Sequence, residues 1–456
     1  MLINFSVENF RSFGAEQTLN LVASKAEQGH ADHCVPIPGT DEQALRIAVL
    51  YGANAAGKSN LVRAMDFAKG LVIRGVNRDQ PIALDSFRFS DPPLRGSSFE
   101  FRFMVQKQIF VYGFDIFDGQ VTEEWLAVAG EDGGETDVFT RNGTAVTFAN
   151  SVVDSVTRDS IQALVTLGVR PNQLLLNKVL DVDESRRGAL LNAVAKWFTE
   201  LLVVIPPDIG FATTIEVLDG DPQLRQFASG FLSNVGTGIG ELSIEKSEIA
   251  MSDLYALHFK NRILANNGGE PAEIEPAGGS LMPDPDDPLR LIRKKLTANH
   301  SIGNARFSLP FAEESDGTQR LLHLLPALYV TNTVSFVFVI DEFDRSLHPV
   351  LAYAFLKYFL ESAAGPQRQL IATTHETHLL DRELLRRDEI WFAEKDALQQ
   401  THLSSLSDLC VRDDLQFEKS YVQGRFGAIP IVGGLEKLKQ LTESSNEVAD
   451  AKKKAN

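Results

Sequence analysis

The sequence predicts an α/β protein: a parallel core sheet, an antiparallel β sub-sheet and a mainly helical insertion. Three observations carry this. Ile47-Ala-Val-Leu-Tyr51 is an apolar run ending at a glycine-bounded loop, Gly52 to Gly57, after which Leu61, Met65 and Ala68 recur at helical spacing. Two further apolar runs, Ser335 to Ile340 and Gln369 to Thr374, end in Asp341-Glu342 and His375. Strands buried on both faces of a parallel sheet deliver the residues after them to a ligand crevice in this way. Phe99, Phe101, Phe103 and Val105 alternate along one strand face, which marks the antiparallel sub-sheet.

Taken in order, Ile3, Phe5 and Val7 alternate as an opening strand, and Asn9-Phe-Arg11-Ser12-Phe13 reads as a turn. Arg11 and Ser12 sit where they could approach a ligand at the glycine loop, though a solvated turn arginine fits the spacing equally. Residues 25–45 read as a loop holding His30, His33 and Cys34, which lack a fourth metal-ligand partner at recognisable spacing. After the glycine-loop helix come the β segments 98–105, 109–116 and 121–127. Residues 151–235 carry helical periodicity at Ile161, Leu164, Val165, Leu190, Leu191, Val194, Trp197 and Phe198. The polar, proline-rich stretch 266–290 reads as an exposed or disordered loop. Arg290, Arg293, Lys294 and Lys295 follow as the densest basic cluster, for which a solvated helix face is the plainer reading. Pro326 is expected to kink the helix that begins after Ser315 or to start a new turn. The domains expected are 1–150, an N-terminal lobe with the glycine loop and sub-sheet; 151–304, the mainly helical insertion; and 305–456, a C-terminal lobe with the remaining motifs. No heptad run predicts a long coiled coil.

The chemistry concentrates at Gly52-Ala-Asn54-Ala-Ala-Gly57-Lys58-Ser59-Asn60, a P-loop. Its glycines let consecutive N–H groups curl round a polyphosphate, Lys58 reaches the β and γ phosphates, and the Ser59 hydroxyl ligates Mg²⁺. Asp341 would hold the same Mg²⁺, and Glu342 is the candidate general base toward the attacking water. His375 at a neighbouring strand end can hydrogen-bond the γ-phosphate. Ser315 and Gly317, at a helix N-terminus, offer a hydroxyl and a close backbone approach to phosphate.

This order of P-loop, Ser-x-Gly before a helix, Asp-Glu strand, Ser346-Leu347-His348-Pro349 and strand-end histidine resembles the ABC-type ATPase heads of the SMC, Rad50 and RecF kind. Val7 to Phe13, Glu314 to Arg320, Ser346 to Pro349 and Tyr421-Val-Gln-Gly-Arg-Phe-Gly-Ala-Ile-Pro430 resemble more closely the bacterial AAA family ATPases of anti-phage systems, including the ATPase components of PARIS-type and Septu-type defence. The resemblance implies a head-to-tail dimer in which two ATP molecules are sandwiched. Ser315 and Gly317 would contact the γ-phosphate bound to Lys58 of a second copy, residues 343–348 would cross between the sites, and larger rings could be built from such dimers. It implies a separate effector, a nuclease or toxin, and a phage-encoded trigger. The Q-loop glutamine has no assignment, Gln106 and Gln108 being the two candidates.

A net charge of −17 argues against sequence-blind nucleic-acid binding, so DNA would require a focused patch. Cys34 and Cys410 are the only cysteines, and neither a leader nor an eighteen-residue apolar span is visible, which predicts a cytoplasmic protein without membrane contact. About eighty residues follow His375, fewer than the usual domain size of about 100 or more, so the nuclease domain of OLD-type proteins is not expected; Asp413, Asp414 and Glu418 read as a solvated acidic loop. Two alternatives stand beside the defence ATPase: a RecF-like or Rad50-like DNA-repair clamp, and a binding module that no longer turns over ATP.

Overall fold

The computed structural model describes residues 1–89, 96–130, 134–148, 155–249, 272–273, 279–283, 291–303, 305–329, 335–361, 368–409, 417–426 and 428. A six-stranded core sheet runs in the order Leu202–Ile205, Phe336–Ile340, Arg368–Thr373, Ile47–Tyr51, Ile390–Lys395, Thr401–Ser405. The first five strands are mutually parallel and the last is antiparallel. Both faces are covered, which is why the strands read as continuous apolar runs. Ala48 and Leu50 pack with the helix Lys58–Ile73 on one side, while Ile47, Val49 and Tyr51 pack with the helices Asp316–Leu328 and Pro349–Glu361 on the other.

A seven-stranded antiparallel sheet lies over the first face, in the order Ala145–Phe148, Glu135–Asn142, Gln120–Ala129, Gln108–Phe117, Ser97–Val105, Leu2–Glu8, Gln17–Asn20. The phenylalanine stripe is core, as its alternation predicts. Phe103 stacks on Trp197 at 4.0 Å and Phe101 meets Phe198 edge-on at 5.3 Å.

The expectation for 151–304 needs correction on three counts. Helices occupy Ser155–Thr166, Leu175–Leu180, Ala189–Lys196, Phe211–Gly220 and Pro222–Asn234, but Ile239–Ile249 onward is sheet. There Ile239–Ile249, Leu291–Ile302, Gly279–Pro283 and Ala272–Glu273 form an antiparallel sheet, with Ala305–Pro310 paired to Leu291–Ile302. The insertion is also not separable from the lobes, because Leu202–Ile205 forms an edge of the core sheet, and Ile205 O accepts the N–H of Asp341 at 3.0 Å. Finally, Arg293, Lys294 and Lys295 lie on a strand, where consecutive side chains point to opposite faces, so they do not share one basic face. Lys294 is bonded to Glu216 and lies 2.8 Å from Asp219. Pro326 sits near the end of the helix Asp316–Leu328, which continues through it.

Of the loop expected near 266–290, only the strands Ala272–Glu273 and Gly279–Pro283 are described. Arg290, Cys410, Asp413, Asp414, Pro430 and residues 451–456 lie outside the described residues. Among the described residues no helix is long and apolar enough to cross a membrane.

Candidate functional site

The site is built at the end of three adjacent parallel strands. Ile47–Tyr51 delivers the glycine loop, Arg368–Thr373 delivers His375, and Phe336–Ile340 delivers Asp341 and Glu342. Adjacency and common direction bring to one sheet edge groups separated by more than three hundred residues of chain.

Two glycines are required sterically. A Cβ on Gly52 would lie 2.5 Å from the carbonyl oxygen of Ala393, and one on Gly57, at φ +111°, would lie 2.1 Å from Thr401 Oγ1. Lys58 opens the helix Lys58–Ile73 and turns its ammonium back into the loop, donating to Gly52 O at 2.7 Å and Ala53 O at 3.3 Å. Burial lowers its pKa to about 8, against the opposing pull of Asp341, Asp344 and Glu342. Asn54 is exposed at the loop tip, and Ser59 is half-buried in the first helical turn.

Asn60 and Ser12 occupy a bracing position. Ser12 Oγ accepts from Asn60 Nδ2 and from Thr401 Oγ1, each at 2.8 Å, and the Thr401 hydroxyl also lies 2.8 Å from Ala56 O. Arg11 instead pairs with Asp85 at 2.9 Å. Thr401, which sequence reasoning missed, belongs to the edge strand of the core sheet; nothing local to it signals the contact.

Asp341 is 2% exposed, and its Oδ1 accepts from Thr373 Oγ1 at 2.6 Å. The same threonine hydroxyl accepts the N–H of Glu342 at 2.8 Å. One oxygen of Asp341 is thereby fixed, leaving the other for an ion or its water, so the hard oxygen donors of Asp341 and Ser59 suit Mg²⁺. Glu342 adopts φ +47°, a conformation rare outside glycine, and its carboxylate is half-exposed, 3.8 Å from Arg345. Asp344 accepts the hydroxyl of Thr374 at 2.8 Å and the N–H of His375 at 3.3 Å. Burial, then the charge on Lys58, lowers the His375 pKa, which keeps the imidazole neutral.

Ser315 caps the helix Asp316–Leu328, its Oγ accepting from Thr318 N at 3.3 Å. Gly317 packs so closely on residues 343–348 that a Cβ would sit 2.7 Å from Ser346 O. From the same helix the buried Arg320 donates to Asp341 O at 2.6 Å, Glu342 O at 2.9 Å and Pro206 O at 3.2 Å. Burial lowers its pKa to about 10, so the guanidinium stays charged at neutral pH. Sequence reading places Arg320 in the Ser-x-Gly stretch but gives it no role, because its acceptors are backbone carbonyls. Gln106 and Gln108 lie at an exposed hairpin tip, at the opposite end of the strand pair from Ser12.

In the loop 25–45, candidate ligand atoms of His30, Asp32 and His33 lie within 4.8 Å of one another. His33 Nδ1 bonds the buried Glu389 carboxylate at 3.0 Å, and His30 Nε2 donates to Arg382 O at 2.9 Å. The two imidazoles stack with 22° between their planes, so their in-plane lone pairs do not converge on one ion. The cluster fastens the loop to residues 382–389.

A family model described as "AAA domain, putative AbiEii toxin, Type IV TA system" matches residues 47–144 and 251–381, half of the chain. No curated protein matches the sequence. Similar solved structures include the SMC head domain from Thermotoga maritima, at 12% identity over 89% of this chain and 98% of that one, with a TM-score of 0.36. The SmcHead bound to the C-winged helix domain of ScpA aligns at 14% identity over 92% and 99%, TM-score 0.39. An Smc head domain with an extended coiled coil, bound to the C-terminal domain of ScpA and derived from Pyrococcus furiosus, aligns at 14% identity over 93% and 98%, TM-score 0.32.

Proposed function

Because the chain belongs to the AAA domain family so described, we propose that it is an ATP-binding and slowly hydrolysing head of the ABC type that acts as sensor and scaffold in bacterial anti-phage defence. The observation that carries the ATPase reading is the convergence of Lys58, Asp341, Glu342 and His375 on one edge of three adjacent parallel strands. In this reading the P-loop N–H groups and Lys58 hold the phosphates, and Ser59 and Asp341 would hold Mg²⁺, which would supply positive charge against the phosphate oxygens. Glu342 takes a proton from the attacking water, and neutral His375 donates to the γ-phosphate. Ser315 and Gly317 contact a nucleotide held by a second copy, so ATP closes a dimer and hydrolysis loosens it.

The family's description as a putative AbiEii toxin of a type IV TA system supports a role in abortive infection or toxin control, and a separate nuclease or toxin as partner is part of the proposal. The involvement of Lys294 with Glu216 and Asp219 counts against the DNA-clamp alternative. The test is the solution mass of Glu342→Gln with and without ATP·Mg²⁺, alone and mixed with the product of the neighbouring gene. An ATP-stabilised assembly that takes up the neighbour is expected. A mass indifferent to both ATP and the neighbour would sink the scaffold reading.

A further inference from the structure

The loop that follows Glu342 lies between the Ser-x-Gly helix and the strand-end histidine. On one side Ser346 O faces Gly317 so closely that a Cβ there would lie 2.7 Å away, and Ser346 itself is held at φ +60°. A non-glycine residue keeps that conformation only while its surroundings hold it. On the other side the loop is laced to the end of the strand Arg368–Thr373, beginning with Phe343 N, which donates to Thr373 O at 2.9 Å. Asp344 comes next. Its Oδ1 accepts the hydroxyl of the fully buried Thr374 at 2.8 Å, and both of its carboxylate oxygens lie 3.3 Å from the N–H of His375. Thr374 Oγ1 in turn accepts the N–H of Glu376 at 3.0 Å. One carboxylate thus sets the course of residues 374 to 376. The main-chain carbonyl of the same Asp344 accepts the N–H of Leu347 at 3.0 Å, which closes the turn that carries Ser346.

We propose that Asp344 is the positioning residue for His375, and that through it a displacement at Gly317 reaches the histidine. An imidazole has two torsions of its own, each with a few preferred settings, so the backbone it projects from decides where its ring sits. A charged acceptor holds that backbone more firmly than a neutral one. Gly317 makes the close contact at one end of the loop, Asp344 makes the hydrogen bonds at the other, and the closed turn between them transmits a shift of one to the other. A nucleotide of a second copy against Ser315 and Gly317 is in this way registered at the histidine that faces the chain's own γ-phosphate.

The proposal rests on the ATPase reading of the site. In the purified full chain Asp344→Ala is expected to lower kcat about 10- to 100-fold, measured by phosphate release, while the Kd for ATP stays within about twofold. Asp344→Asn, which keeps an acceptor for Thr374 and His375, should retain most of the rate. Thr374→Val, which removes the hydroxyl at nearly constant size, should lower kcat in the same direction as Asp344→Ala. Adding Asp344→Ala to His375→Ala should cost nothing further, because both act through one imidazole. The second arm uses the chain without nucleotide. The His375 Cε1–H resonance, identified by its absence in His375→Ala, should shift in Gly317→Ala and stay in place when Gly317→Ala is added to Asp344→Ala. Wild-type kcat in both Asp344→Ala and Thr374→Val beside a slow His375→Ala would overturn the role of Asp344 alone, as would a double variant that multiplies the two losses. A Gly317→Ala shift of equal size with and without the Asp344 carboxylate would overturn the coupling. A wild-type protein that hydrolyses no ATP, or a His375→Ala variant as fast as wild type, would bring down the ATPase reading of these residues and the proposal with it.

Discussion

Lys58 illustrates how a residue's neighbours set its working range. Its folded-state pKa of about 8 lies below the ordinary lysine value of 10.5, so between those pH values the unfolded chain binds more protons than the folded one. The contribution of this group to fold stability therefore rises with pH across that window. Nucleotide affinity should move the opposite way, since only the ammonium attracts phosphate: ATP Kd measured from pH 6.5 to 9.5 should weaken with a midpoint near 8. Lys58→Ala should lose nucleotide binding, whereas Glu342→Gln should retain ATP and lose turnover; equal loss of affinity in both would contradict the assigned roles. Arg320→Ala leaves the carbonyls of Pro206, Asp341 and Glu342 without their donor, at a cost of roughly 2–5 kcal/mol. Its turnover should fall about 10- to 100-fold as the carboxylates lose their fixed position, measured by phosphate release at saturating ATP.

Among the elements, the seven-stranded sheet is joined to the helices by one fully buried carboxylate. Glu124 accepts the N–H groups of Leu175 at 2.6 Å and Leu176 at 3.0 Å, the hydroxyl of Tyr112 at 3.1 Å and Arg141 Nη1 at 3.3 Å. Burial pushes its pKa up against these opposing bonds. Glu124→Ala removes the anion and leaves Arg141 buried without it, so unfolding by denaturant should show a loss of about 3–5 kcal/mol. The helix Asp316–Leu328 is placed with similar care. His300 Nε2, on the strand Leu291–Ile302, lies 2.7 Å from Glu314, just before Ser315, while Gly317 abuts Ser346. Gly317→Ala must displace a backbone carbonyl and should reduce ATP-dependent dimerisation, read by light scattering, with smaller change in ATP affinity of the single chain. The helix itself is legible from the Ser315 cap and the apolar run that follows. The sheet fastened to it is not, because its two long strands, Ile239–Ile249 and Leu291–Ile302, lie far apart in the chain and their Lys and Glu residues mask the period of two.

For the whole molecule, the arrangement leaves the P-loop and the Ser-x-Gly helix of one chain engaged with different neighbours, Ser12 and Thr401 in one case and Ser346 in the other. The proposal of a site completed by a second copy belongs to this scale, and the mass of Glu342→Gln with ATP·Mg²⁺ tests it. By itself the sequence determined the P-loop, the Asp-Glu strand, the strand-end histidine and the phenylalanine stripe, because each is written in consecutive residues or in a single period. Only the tertiary structure decided that Leu202–Ile205 joins the core sheet, that Lys294 is neutralised by Glu216 and Asp219, that Arg11 turns to Asp85, and that Thr373, Arg320 and Thr401 brace the site. The physical reason is common to all of them: their partners are backbone groups or side chains far away in sequence, brought close only by strand order, and hydrogen bonds to backbone leave no residue pattern to read.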